Sequence, residues 1–258
     1  MKRIDVGGLS ALAGTWPPTG GRPTLLCIHG SGGAAVLWQH QVDALAHCAN
    51  TLAVDLPGHG LSSGPGFSSV SDYARVIAEL VISAGLSQVV CCGLSLGGAI
   101  ALELLLDHAK LFSAGILCST GARLKVMPAI LETVRNDYGA FIASLNQWTI
   151  SPATQPARVA PLLAATAACA PTVTEGDFRA CDAFDVRARL GEITAPVLLV
   201  SSGDDVLTPP KYADYLGQHL AGARRVHIDG AGHLTPMEQP ERFNAAVEDF
   251  LGTQVRSP

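Results

Sequence analysis

Six short apolar runs along the chain stop abruptly at Gly, Asp or Ser: 23–30 (PTLLCIHG), 50–58 (NTLAVDLPG), 87–93 (SQVVCCG), 112–120 (FSAGILCST), 195–205 (APVLLVSSGDD) and 224–233 (RRVHIDGAGH). A strand with one face in water alternates apolar and polar residues, whereas these runs are largely apolar at both parities. They therefore predict strands buried on both faces, as in a parallel sheet covered by helices. Between them the spacing of apolar residues changes to the helical period over 36–48, 71–84, 96–109, 209–221 and 240–251. Pro209, Pro210 and Pro240 stand near the starts of the last two, where a missing N–H costs nothing. Strands alternating with helices predict an α/β domain with a mostly parallel, doubly wound sheet. Residues 2–14 add an edge hairpin.

One region departs from this alternation. From about 122 to 190 no strand pattern occurs, while 128–147 and 156–169 have helical spacing. A structureless loop of that length is uncommon inside a compact domain. The expectation is a helical cap at 122–190, inserted into an α/β core made of 1–121 and 191–258.

Composition narrows the possibilities further. With 258 residues, 48% of them hydrophobic and 15% charged, the chain can bury a large core. The net charge is −5 and there is no Lys/Arg cluster, so neither nucleic acid nor an anionic membrane surface is an expected partner. The seven cysteines have no regular spacing and predict buried free thiols in a reducing compartment. The start, MKRIDVGGLSALAG, is interrupted by Gly and Ser and lacks the apolar stretch of a signal peptide. A cytoplasmic protein is expected.

The candidate chemistry begins at VVCCGLSLGG, 89–98. Ser95 lies between Gly93 and Gly97, after a predicted strand and before a predicted helix. That is the context of a nucleophile elbow, a sharp turn that raises a serine hydroxyl above the sheet edge. The bare pattern carries little weight by itself, so its partners matter. A serine needs an imidazole to take its proton, and the imidazole needs a carboxylate to fix its tautomer. His233 follows the last predicted strand and would stand at the same sheet edge as Ser95, which makes it the expected base. His227 lies inside that strand, and His40, His47, His108 and His219 fall on predicted helices, where structural or solvated roles are expected. Asp204 and Asp205 both follow the strand before it. Neighbouring side chains point apart, and the local sequence leaves the choice between them open.

Taken together, CIHGSGG, DLPGHGLS, GLSLGG, DDVLTPP and GAGHLTPMEQPERF, in this order, resemble the motifs of the α/β-hydrolase fold, and the resemblance spans essentially the whole chain. It implies Asp205 as the acid, because the family's acid stands four residues before a proline, here Pro209. It implies an oxyanion hole from the backbone N–H groups of Ser31 and Leu96, each donor aimed at the negative charge of the transition state. The Ser31 hydroxyl is a candidate third donor. His29 would hold the oxyanion loop by hydrogen bonding, and His59 would be structural. Leu94 and Leu96 stand where these enzymes more often carry His and Met beside the serine. Gly30, Gly32 and Trp148 are the expected substrate contacts. Met127, Ile130, Phe141, Leu162 and Phe184 are further apolar candidates, and Arg123, Arg135 and Arg158 are candidate partners for a substrate carboxylate. The implied reaction is hydrolysis of a small or medium ester or lactone through an acyl-enzyme, with no metal or organic cofactor. Relatives with this triad also include enol-lactonases, carbon–carbon bond hydrolases, cofactor-free perhydrolases and catalytically silent ligand receptors, so the fold alone does not choose the reaction.

Overall fold

The structure, a computed structural model, describes residues 1–254. Eight strands form one sheet: β1 (Lys2–Val6), β2 (Leu9–Ala13), β3 (Thr24–Ile28), β4 (Asn50–Val54), β5 (Val89–Leu94), β6 (Phe112–Cys118), β7 (Val197–Ser202) and β8 (Arg224–Ile228). Their spatial order is β1-β2-β4-β3-β5-β6-β7-β8. β1 and β2 form the antiparallel edge hairpin expected from residues 2–14, and β2 joins β4 antiparallel. The pairings from β4 through β8 are all parallel, as the doubly apolar runs predict.

Successive residues of a strand supply opposite layers of the core. Leu26 and Ile28 of β3 pack with Ile77, Ile100 and Leu104 on one side, and Leu25 and Cys27 with Trp38, Phe243 and Phe250 on the other. Cys91 and Cys92 divide between the same two layers, and all seven cysteines are free thiols. β8 is the exception to two-sided burial, because it is the edge strand and its Arg225 and His227 reach solvent.

The flanking helices include α1 (Gln39–Ala44), α2 (Val70–Ser83) and α3 (Leu96–Asp107). The helix predicted over 36–48 is reduced to α1 with a 3₁₀ turn at either end, Ala35–Trp38 and Leu45–His47. Between β6 and β7 the chain makes α4 (Pro128–Asn136), α5 (Tyr138–Thr149), α6 (Ala160–Ala168) and α7 (Pro171–Ala183), and adds no strand to the sheet. Asp137 divides the helix predicted over 128–147, because its side chain accepts the Ala140 N–H and caps α5. The two ends of the segment meet at the Arg123–Asp185 bridge. After β7 come α8 (Lys211–His219), α9 (Thr235–Glu238) and α10 (Pro240–Gln254). Among the described residues no helix is long and apolar enough to cross a membrane.

Strand order reverses at β3: the chain moves outward to β4 and then returns to β5 on the other side. A crevice opens outside the carboxyl ends of the strands at such a switch point. The loops after β3 and β5 meet there.

Candidate active site

Ser95 is the one residue between the end of β5 and the start of α3, with φ 57° and ψ −116°. A left-handed φ at a residue with a Cβ costs on the order of 1–3 kcal/mol and persists only where the surroundings enforce it. Here they do. The Ser95 N–H donates to the Cys118 carbonyl at 3.1 Å, and the Thr120 hydroxyl donates to the Ser95 carbonyl at 2.9 Å. A Cβ on Gly93 would collide with the Gly97 carbonyl, and one on Gly97 with the Ile28 carbonyl. The glycines therefore permit a turn too tight for any other residue, and the serine is held half-exposed at its apex.

His233 and Asp205 meet across two loops at the same sheet edge. His233 Nδ1 lies 3.1 and 3.0 Å from the two carboxylate oxygens of Asp205. An ionised carboxylate only accepts, so Nδ1 carries the proton and Nε2 keeps its lone pair in the neutral ring. Asp205 also accepts the N–H groups of Leu207 (3.0 Å) and Thr208 (2.9 Å), and the Thr208 hydroxyl donates to it at 2.8 Å. Burial by itself would raise its pKa. The charge and hydrogen bond of His233, then the Thr208 donors, outweigh burial and hold the carboxyl well below the ordinary carboxylate range. Asp204 turns outward and accepts the Ser151 hydroxyl at 2.6 Å. Of the two adjacent aspartates, the structure brings Asp205 to the imidazole.

The loop after β3 packs against the elbow: a Cβ at Gly30 would lie 3.3 Å from the Cβ of Ser95. Leu96 is the first residue of α3, so its N–H has no acceptor within the helix. The Gly30 carbonyl accepts the N–H of Gly33 at 3.0 Å, leaving that of Ser31 outside this turn. The Ser31 hydroxyl lies 3.6 Å from Cys181 Sγ on α7.

Ser95, His233, Thr208, Gly30 and Ser31 all line one cavity of about 210 Å³. Its remaining wall is mainly apolar and includes Trp148, Ile130, Phe141 and Leu162. Met127 and Val206 line it while remaining well exposed, which locates the mouth. Trp148 and Gly30 thus stand where substrate contacts are expected. Gly32 instead turns its N–H toward α7, donating to Asp177 at 2.8 Å, and Phe184 is buried in the core layer that holds Ile77 and Ile100. The three arginines proposed for a substrate carboxylate are already committed: Arg123 to Asp185, Arg135 to Glu175, and Arg158 to the Glu238 carbonyl. His227 faces Ser201 at 3.0 Å on the edge strand, away from this cavity.

Several supporting groups have no clear mark in the sequence. Thr208 is a threonine before two prolines, yet its hydroxyl braces Asp205 and stands 3.3 Å from His233 Nδ1. Glu238 is buried on α9 and accepts N–H groups on both sides of the histidine, from Gly232 and Leu234 at 3.0 Å, and from Ser151 at 2.7 Å. The His233 N–H itself donates to the Thr149 carbonyl at the end of α5, at 2.8 Å. A glutamate five positions after the histidine is the only sequence signal for the first of these anchors.

Residues 25–246 match the alpha/beta hydrolase family, and the chain belongs to it. The chain is a hydrolase. It is similar to a pimeloyl-[acyl-carrier protein] methyl ester esterase of Nitrosomonas europaea, with 28% identity over 87% of this chain and 94% of that protein. It is also similar to a putative carbamate hydrolase, RutD, of Agrobacterium fabrum, 28% identical over 89% of this chain and 93% of the relative. Among solved structures, the enol-lactonase from Burkholderia xenovorans LB400 superposes with a TM-score of 0.88 and 24% identity, covering 97% of this chain and 100% of that one. That likeness extends to the fold.

Proposed function

We propose that this chain is a serine hydrolase of small to medium carboxylic esters, lactones included as cyclic esters, working through an acyl-enzyme on Ser95. The observation that carries the reading is the buried Asp205–His233 pair, at 3.0 Å, opening into the same apolar cavity as Ser95 at its strained turn. Ser95 Oγ attacks the carbonyl carbon while His233 Nε2 takes the hydroxyl proton. Asp205 keeps the ring oriented and balances the imidazolium that forms. The tetrahedral oxyanion accepts the N–H groups of Leu96 and Ser31. As it collapses, the C–O bond to the alcohol breaks and His233 returns the proton to the leaving oxygen. A water then attacks the acyl carbon, giving up its proton to His233, and the acid leaves as Ser95 regains its hydrogen.

Residues 122–190 act in this reading as the cap, supplying Trp148, Ile130, Phe141 and Leu162 to the cavity wall. Apart from His233, the one ionisable cation along that wall among the described residues is Lys125, and Asp182 holds it at 3.0 Å. The cavity therefore favours an uncharged, apolar group on the substrate. Hydrolysis of p-nitrophenyl esters of graded chain length, with lactones, a carbamate and a vinylogous diketone in parallel, tests the class. Esters or lactones are expected to turn over fastest. Ser95→Ala is expected to remove turnover, by roughly 10⁴-fold or more, with the unfolding midpoint preserved. Full activity in that variant would exclude the scheme.

A further inference from the structure

A second buried aspartate–histidine pair lies beyond the proposed catalytic set. Asp177 on α7 is fully buried, and its carboxylate accepts from three elements. Gly32 N–H and His59 Nε2 each lie 2.8 Å from Oδ2, and the Tyr73 hydroxyl lies 2.7 Å from Oδ1. His59 Nδ1 faces the Pro57 carbonyl at 3.1 Å. Both partners of this ring are pure acceptors, so both nitrogens carry protons and His59 is an imidazolium. Burial opposes that charge, but Asp177, with a smaller contribution from Cys169, raises the pKa to about 10.

His29, whose ring centroid is 4.9 Å from that of His59, is the opposite case. Its Nε2 accepts the Leu56 N–H at 3.0 Å, so Nδ1 carries the proton and donates to the Gly30 carbonyl at 2.8 Å. Burial first, and then the His59 charge, lower its pKa to about 4 and keep it neutral.

These bonds pin the two peptides on either side of the Ser31 Cα. The Gly30 carbonyl and the Ser31 N–H belong to one planar trans peptide, so a pull on the oxygen aims the N–H the other way. His29 supplies that pull from the sheet side. Asp177 holds the next peptide, through Gly32 N–H, from the α7 side. Gly32 has φ 62°, a glycine conformation, and a Cβ there would press on Thr174 and Thr166 at 3.1–3.2 Å.

We propose that Asp177 is a positioning residue for the oxyanion hole: its bond to Gly32 makes the aim of the Ser31 N–H depend on the seating of α7. A bare carboxylate this near a developing oxyanion would oppose it, and the His59 charge cancels that repulsion. The inference rests on the hydrolase reading above.

The test is steady-state hydrolysis by Asp177→Ala and Asp177→Asn, with kcat expressed per site titrated by a fluorophosphonate, alongside the affinity of a boronic acid that forms a tetrahedral adduct on serine. Asp177→Ala leaves Gly32 without its acceptor, and kcat per titrated site is expected to fall about 100-fold, as when one oxyanion donor is lost. KM is expected to stay within about twofold while boronate affinity falls in parallel with kcat. Asp177→Asn keeps an acceptor for Gly32 but not the ion pair, and is expected to fall only about fivefold. A merely structural aspartate would reduce the number of titrated sites and leave kcat per site unchanged, and that result overturns the proposal. If Asp177→Ala does not fold, an Asp177→Asn kcat per site within about 1.5-fold of wild type overturns it as well. Absence of wild-type turnover is a different failure: it removes the hydrolase reading, and this inference with it.

Discussion

The chain buries two aspartate–histidine pairs, Asp205–His233 and Asp177–His59, with N–O distances of 3.0 and 2.8 Å. Residue types and separation barely distinguish them. What differs is the second ring nitrogen. In His59 it is spent on the Pro57 carbonyl, so at neutral pH the ring is a cation with no lone pair to accept a proton. In His233 the bond to Asp205 is made through Nδ1, Nε2 has no hydrogen-bond partner among the described residues, and the residue lines the cavity that also holds Ser95. An imidazole becomes useful to chemistry when half of its hydrogen-bonding capacity is left unused. The pair across α7 has the bonding of a fastening, and the pair above β7 and β8 has the bonding that the proposed base requires.

That contrast can be broken most severely at the histidines. His233→Gln is expected to lower kcat about 10³-fold or more, because the serine loses its base. His59→Gln is expected to retain turnover within about tenfold, since only the aim of the oxyanion loop changes. Comparable losses in steady-state kinetics would erase the distinction. At the carboxylates, Asp205→Asn is expected to cost on the order of 10³-fold by presenting a donor to Nδ1 and disfavouring the working tautomer. Asp204→Asn should remain within about twofold of wild type, since Asp204 is exposed and bonds Ser151 instead of the imidazole. Thr208→Val removes one donor from Asp205, and a fall in kcat of about tenfold is expected, with KM little changed.

The smallest effect is on stability, and the pairs should weaken at opposite ends of the pH scale. The folded-state pKa of Asp205 is depressed, so its contribution is complete above the ordinary aspartate value of about 4 and is lost as the pH falls further. The pKa of His59 is raised to about 10, so its contribution is complete below the unfolded value of 6.5 and is lost as the pH rises from there toward 10. Unfolding midpoints of wild type and His59→Gln should therefore converge between neutral and alkaline pH, whereas wild type and Asp205→Asn should converge in acid. Gaps that stay constant with pH would contradict the assigned charges.

How far these features can be read from sequence follows from whether they are local. Five of the six apolar runs announce their parallel strands because burial on both faces leaves its mark at nearly every residue; the sixth forms the edge strand β8, whose Arg225 and His227 reach solvent. Ser95 is legible because its glycines sit at fixed offsets, and each proves to be required by a backbone collision. His233 is legible from its position after the last strand. Asp205 needed the family pattern, since Asp204 beside it has the same chemistry and only the path of the loop separates them. α7 lacks a signal because Thr, Gly and Asp are poor helix formers, and the burial of residues such as Val173, Asp177 and Cys181 compensates only in the folded chain. Asp177 leaves no mark because its partners, Gly32, His59 and Tyr73, lie far away in sequence; Glu238 has near partners in Gly232 and Leu234, but its bond to Ser151 is equally remote.

The central claim is that the hydroxyl at 95 is activated by the imidazole at 233. Labelling with a fluorophosphonate, followed by peptide mass analysis, measures this directly. The account predicts a single adduct on Ser95 in the wild type, none in Ser95→Ala, and formation slowed about 10³-fold in His233→Gln. An unlabelled wild-type protein, or labelling of Ser95 at an undiminished rate without His233, would contradict it.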